Sequence, residues 1–160
     1  MAASPVVIIR PAEPHDAVEL ARRMRREDAD EVEATGGFTP LEAILTSMRY
    51  SEEAWTATFD GEVAAMYGVA RLARRNGAAW LLTSDLVERH AKTFWKACCR
   101  ELPKLFERWD VLANAIDQRH EKAVRWARRL GFFLFPAEPY GAAGLPFHMF
   151  TVRKEDLRHV

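Results

Sequence analysis

Three strand-like segments in a row, joined by tight turn signals and flanked on both sides by helical patterns, restrict the fold of this chain more than any other feature. From Ala54 the apolar residues Trp55, Ala57 and Phe59 fall on one side of a period-two pattern. Asp60-Gly61 supplies a hairpin turn, and a return strand runs from Glu62 to about Ala70. Asn76-Gly77 is a second turn signal and leads into Ala78-Ala79-Trp80-Leu81-Leu82-Thr83 as a third strand. A three-strand meander set among helices is the mark of an α/β domain.

The flanking segments complete the order. Val6-Val7-Ile8-Ile9, closed by Arg10-Pro11, reads as a buried strand. A helical segment opens at Pro14-His15-Asp16 with Val18, Leu20, Ala21 and Met24 on its apolar side, and Arg22, Arg23, Arg25 and Arg26 read as a solvated face. Gly36-Gly37 breaks it. Thr39-Pro40-Leu41-Glu42 restarts a helix with an N-cap, a proline at the first position and a glutamate at the third, and Leu41, Ile44, Leu45 and Met48 follow at helical spacing. After the meander a long helix carries Val87, Ala91, Phe94, Cys98, Leu102 and Leu105 until Pro103 disturbs or ends it. Val111 to Ile116 is a strand, Asp117 to Leu130 an amphipathic helix closed by Gly131, and Phe132 to Phe135 and Phe147 to Val152 are strands separated by a loop from Pro136 to Pro146. The resulting order is β-α-α-β-β-β-α-β-α-β-β.

Length and charge bound the function. At 160 residues the chain has the size of one domain, read as spanning residues 1–160. Its 23 basic and 23 acidic residues cancel, so no bulk field draws it to nucleic acid or to an anionic membrane. Cys98 and Cys99 are adjacent and point in different directions on a helix, which forms neither a disulfide framework nor a metal site and suits a reducing cytoplasm. No apolar run reaches the length of a membrane span or a signal peptide, so a soluble protein is expected. The five tryptophans and Tyr67 read as core packing, with Tyr67-Gly68 marking a close backbone approach or a bulge beside a groove.

The element order is similar to the GNAT acyltransferase fold, with its mixed central sheet, over nearly the whole chain. Ala123-Val124-Arg125-Trp126-Ala127-Arg128-Arg129-Leu130-Gly131-Phe132 resembles that family's C-terminal helix, and Ile8-Ile9-Arg10-Pro11-Ala12 through Asp16 resembles a common GNAT opening. A narrower resemblance lies in three pieces: Trp80 to Asp85 with Glu88 to Phe94, Ile116 to His120 leading to Val124-Arg125-Trp126, and Pro139-Tyr140-Gly141 with Pro146-Phe147-His148. Together they resemble a family of small podophage and prophage proteins that includes internal virion protein A. That resemblance implies a phage source, a place in the host cytoplasm or the virion, and host or virion proteins as partners.

The GNAT resemblance implies acetyl-CoA as cofactor, held along Leu82, Thr83 and Ser84 and at the start of the following helix. The family's phosphate-binding pattern aligns on Arg89-His90-Ala91-Lys92-Thr93-Phe94, where Lys92 and Phe94 replace its two small residues. Glycine allows close backbone approach there, and the replacements remove it. Arg89, His90 and Lys92 are the cofactor-binding candidates; read plainly, Arg89 and Lys92 are solvated positions on an amphipathic helix. Ser84-Asp85 forms an N-cap, which would occupy the amides a phosphate needs. The family's tyrosine acid falls at Ala127, and its asparagine at His120. His120 is therefore the catalytic candidate, able to exchange a proton near neutral pH, although a histidine at a helix start is ordinarily a surface or capping residue. His90 and His148 lack metal-ligand spacing, and Asp117 and Glu88 have no carboxylate partner in sequence. Two functions follow: an acetyl-CoA-dependent N-acetyltransferase acting on a host or virion protein, or an inactive GNAT-fold protein of virion assembly or host interaction.

Overall fold

A computed structural model describes residues 3–160. In chain order the elements are β1 (Val7–Pro11), α1 (Pro14–Arg23), α2 (Arg26–Gly36), α3 (Pro40–Tyr50), β2 (Ser51–Phe59), β3 (Glu62–Ala73), β4 (Asn76–Thr83), α4 (Leu86–Arg89), α5 (Ala91–Leu105), β5 (Val111–Asp117), α6 (Glu121–Leu130), β6 (Phe133–Leu134), β7 (Glu138–Tyr140) and β8 (Leu145–Arg153). The strands form one mixed sheet in the order β1-β2-β3-β4-β5-β8-β6, with β7 also paired to β8. Neighbours are antiparallel except β4 and β5, which run parallel.

Helices cover both faces, as the expected α/β class requires. Ala17, Leu20 and Ile44 of α1 and α3 bury against Val63, Met66 and Leu82 on one face. On the other, Leu105, Val124 and Ala127 of α5 and α6 join Val69, Leu112, Phe150 and Val152. Full burial of a Leu or Ile side chain stabilises by about 1.5–3 kcal/mol, so Leu20, Ile44 and Leu112, each fully buried, are strong anchors. The first strand is fixed to α1 by a charge lock. Arg10 donates to both oxygens of Asp16 at 2.7 and 2.8 Å, and Thr56 Oγ1 and the Glu13 amide donate to it at 2.8 Å. Burial opposes ionisation of Asp16, yet these donors hold it at about 2.

Several local expectations give way to tertiary contacts. β1 is an edge strand rather than a buried one, and Ile8 is exposed. The helical segment from Pro14 splits at Met24-Arg25, which are extended: the Arg25 amide donates to the Thr83 carbonyl at 3.0 Å, and Met24 bridges Ser84. That makes three helices before the meander, and Arg25 is no longer part of a solvated face. The second turn of the meander lies at Arg74-Arg75, so Asn76 and Gly77 already belong to β4. Gly77 is needed for packing, since a Cβ there would meet Val69 Cγ1 at 2.2 Å and the Trp109 ring at 3.0 Å. The long helix after the meander is broken at His90, because Leu86 and Val87 pack on Phe59 and Ala64 while α5 turns elsewhere. Pro103 sits in the last turn of α5 without ending it there. The loop after Phe135 contains the additional strand β7. The capping box of α3 forms as expected, with Thr39 Oγ1 accepting from the Glu42 amide and Glu42 Oε2 from the Thr39 amide.

Candidate functional site: a fork between two parallel strands

β4 and β5 pair only at Asn76 with Val111, Gly77 with Leu112 and Ala78 with Ala113, and then diverge. Backbone N–H and C=O groups on a strand alternate in direction, so Ala79, Leu81 and Thr83 turn theirs into the gap. Side chains take the outer two. Asn114 Nδ2 donates to the Ala79 carbonyl at 2.7 Å, while its Oδ1 accepts from the Ala115 amide. The Thr83 amide donates to Asp28 Oδ2 at 2.8 Å, and the Thr83 carbonyl accepts from Arg25. Leu81 is left facing the fork with no partner for its amide or carbonyl among the described residues. A cavity of about 660 Å³ runs through this opening, from α2 and α3 on one face to α5 and α6 on the other. Unpaired backbone in such a place is where an extended ligand forms hydrogen bonds.

A polar chain closes the wide end of the fork. Thr83 Oγ1 donates to Asp28 Oδ2 at 2.5 Å and accepts from Arg25 Nε at 2.7 Å. Asp28 Oδ1 lies 2.9 Å from His120 Nε2, at a separation of 92 residues in sequence. His120 is only 4% exposed and starts α6 without capping it, and its Nδ1 has no partner among the described residues. With Nε2–H donated to the carboxylate, Nδ1 carries a lone pair that is buried and unpaired among the described residues. His120 is thus neither a surface nor a capping residue. One turn along α2, Glu31 Oε2 accepts from the Asp117 amide at 3.0 Å. Burial, with the nearby charges of Asp28 and Asp117, pushes the Glu31 carboxyl up to about 7 against the pull of that amide and of His120. Asp117 itself is engaged by Arg119 at 2.7 Å.

The other candidates divide. Leu82 and Thr83 line the cavity and are buried. Ser84 is buried, donates to the Val63 carbonyl and accepts from the Leu86 amide at 3.3 Å. Its cap therefore serves the single turn α4, and α5 begins at His90 without a side-chain cap. The expected competition between that cap and a phosphate does not arise. Arg89 is exposed and tied to Asp85, Lys92 is exposed, and the His90 ring packs edge-on against Phe59 with centroids 6.1 Å apart. None of these three lines the cavity. Phe94 does, and its ring reaches Trp126 of α6 with centroids 6.2 Å apart. Gly68 is a close approach as expected, a Cβ there falling 2.4 Å from the Glu53 carbonyl oxygen, and Tyr67 lines the cavity.

Asp28, Glu31 and Asn114 were not distinguished by sequence. Asp28 and Glu31 share one helix face at a spacing of three, but Arg26–Gly36 holds five acidic residues, and only the break at Met24-Arg25 turns these two inward.

No helix among the described residues is long and apolar enough to cross a membrane. No protein-family model matches the chain, and no curated protein matches it either. Solved structures do. The chain is similar to the GNAT-family acetyltransferase from Bacillus anthracis, with a TM-score of 0.69 and 10% identity over 96% of this chain and 98% of that one. It is similar to Ard1 from Thermoplasma volcanium, with a TM-score of 0.67 and 15% identity over 92% and 97% of the two chains. It is also similar to yncA from Salmonella typhimurium, solved with its cofactor acetyl-CoA, with a TM-score of 0.66 and 13% identity over 92% and 94%. At such identities the likeness speaks for architecture, and with the splayed parallel pair it shows that this chain has the GNAT fold.

Proposed function

We propose that the chain is an acyl-CoA-dependent N-acyltransferase, with acetyl-CoA as the simplest donor. The observation that carries this reading is the unpaired Leu81 backbone, facing a cavity that also reaches the buried His120–Asp28 pair. The residues present fit such a donor. Leu81 offers one amide and one carbonyl to an extended amide-bearing arm, and the uncapped start of α5 offers free amides and the positive end of its dipole to a phosphate. When bound, the donor supplies a thioester, whose carbonyl carbon takes a nucleophile directly.

The chain's own groups then manage position and protons. Asp28, fixed by the Thr83 amide and hydroxyl, holds His120 in one tautomer. As an amine nitrogen bonds to the acyl carbon and the C–S bond breaks, the proton leaving nitrogen would pass by way of His120, held by Asp28, to the departing thiolate sulfur. Proton transfer of this kind contributes about 10²–10⁴-fold. Asp28 and Glu31, the latter raised to about 7, both line the cavity where an amine would enter.

The three short sequence pieces support a finer reading: a phage or prophage source and a host or virion protein as acceptor. A second reading keeps the fold without the reaction, as an assembly or host-interaction protein, and is favoured by Ala127 at the family's tyrosine position and by Lys92 and Phe94 at its small positions. Isothermal titration with acetyl-CoA separates the two. Micromolar affinity supports the enzyme, and no heat at millimolar ligand overturns it. Mass spectrometry of host and virion proteins, with wild type against His120→Ala, then identifies the acceptor.

A further inference from the structure

The cavity does not end where the fork closes. Ala79 and Asn114, the first residues past the last paired position, line it, but so do Tyr67, Cys98, Leu102 and Leu105. α5 runs back along the sheet, and Leu105 joins Val69, Trp109 and Leu112 beside the closed end of the fork. Ala91, Phe94, Cys98, Leu102 and Leu105 all border the cavity, which therefore follows α5 from first turn to last, about 21 Å at 1.5 Å per residue. A donor whose phosphate sits at the start of α5 and whose thioester lies at the fork leaves the far part of this space unfilled.

The far lobe is walled mainly by apolar side chains, and Glu101 is the ionised group on its α5 side. Burial, together with the negative charge of Glu101, pushes the Tyr67 hydroxyl above its ordinary range, so it stays neutral. Burial pushes the Cys98 thiol up to about 12, so it too stays protonated. The Glu101 carboxylate is held by Arg100 and Lys104 at 2.9 and 3.1 Å. An acceptor does not fit the lobe, because the amine must meet His120 and Asp28, at the wide end of the fork.

We propose that this lobe receives the acyl chain of the donor, so that the preferred donor carries a medium-length aliphatic acyl group rather than acetyl. The proposal rests on the acyl-CoA reading of the fork. Its chemistry is unchanged: the C–N bond forms and the C–S bond breaks at the same carbonyl, and only the group beyond that carbon differs. Recognition is by exclusion of methylenes from water, each worth about fourfold in affinity when fully buried.

The test is titration of the whole chain with CoA, acetyl-CoA and octanoyl-CoA, with free octanoate as the control for non-specific apolar binding. Octanoyl-CoA is expected to bind at least roughly tenfold more tightly than acetyl-CoA, and octanoate alone not to bind. Leu102→Trp, which fills the lobe, is expected to abolish that gain while leaving acetyl-CoA affinity unchanged. Cys98→Phe provides the same block from a second position should the first variant lose its circular-dichroism spectrum. A gain below tenfold, or one that survives in both variants, overturns the acyl lobe and leaves the donor reading standing. Failure of all three CoA compounds to bind overturns both.

Discussion

The polar bridge across the fork and the turn that leads into α5 border the same cavity and are built in opposite ways. In the bridge, Asp28, Thr83 and His120 come from three distant parts of the chain, are buried, and satisfy one another except at His120 Nδ1. In the turn, Arg89 pairs with Asp85 four residues away and its side chain is 63% exposed. Only the first arrangement holds charge in low dielectric, where a fixed pair has consequences for both stability and chemistry. The turn contributes backbone, through the uncapped start of α5, rather than side chains.

The strongest challenge to this contrast is Asp28→Ala. It strands the Thr83 amide and His120 at once, and loss of one partner from a buried pair costs about 3–5 kcal/mol. For a domain of this length, that lowers Tm by about 6–15 °C in calorimetry. Asp28→Asn, which retains an acceptor for Thr83, is expected to cost less. A fall below about 2 °C in the alanine variant would show that the bridge is not a unit.

Next comes His120→Ala. Turnover measured by thiol release is expected to fall about 10²–10⁴-fold, while acetyl-CoA affinity stays within about threefold. Equal loss in affinity and turnover would make His120 a structural support of the fork instead of a proton acceptor.

Glu31→Gln sharpens the picture through pH. The Glu31 carboxyl is raised in the folded chain from 4.5 to about 7, so the folded state binds its proton more tightly than the unfolded state does. Its favourable contribution is complete below the unfolded value and is lost as pH rises toward the folded one. Glutamine keeps the acceptor for the Asp117 amide and does not titrate. The variant is therefore expected to gain on wild type between pH 4.5 and 7, by on the order of 2–3 kcal/mol in urea unfolding. A parallel pH profile for the two proteins would show that Glu31 is solvated.

The smallest effect belongs to the turn. Arg89→Ala is expected to change stability by less than about 0.5 kcal/mol, since its ion pair is exposed. Acetyl-CoA affinity is expected to change by less than about threefold, because Arg89 does not line the cavity. A loss of tenfold or more would place a phosphate on Arg89 and erase the distinction between the two regions.

How much of this was legible follows the range of the interactions. Thr39-Pro40-Leu41-Glu42 announced α3, and Gly131 announced the end of α6, where φ is 102° and a Cβ would lie 2.0 Å from the Asp156 carbonyl oxygen. These signals act within one turn and survive in any context. The break at Met24-Arg25 had no glycine or proline to mark it, because its cause is a pair of backbone contacts with Thr83 and Ser84. Asp28 and Glu31 were lost for the same reason, since their direction depends on that break. His120 was found by resemblance alone, and its environment reversed the ordinary reading of a histidine at a helix start.

The sequence by itself determined the α/β class, the order of its main elements and the likeness to the GNAT architecture, because hydrophobic period, turn chemistry and caps are local and repeat along the chain. Only the tertiary structure decided that β4 and β5 part after Ala78, that Asp28 joins Thr83 to His120, and that the cavity continues beneath α5. Each of these is a distance between segments far apart in sequence, set by packing on both faces of the sheet, and no local pattern encodes such a distance.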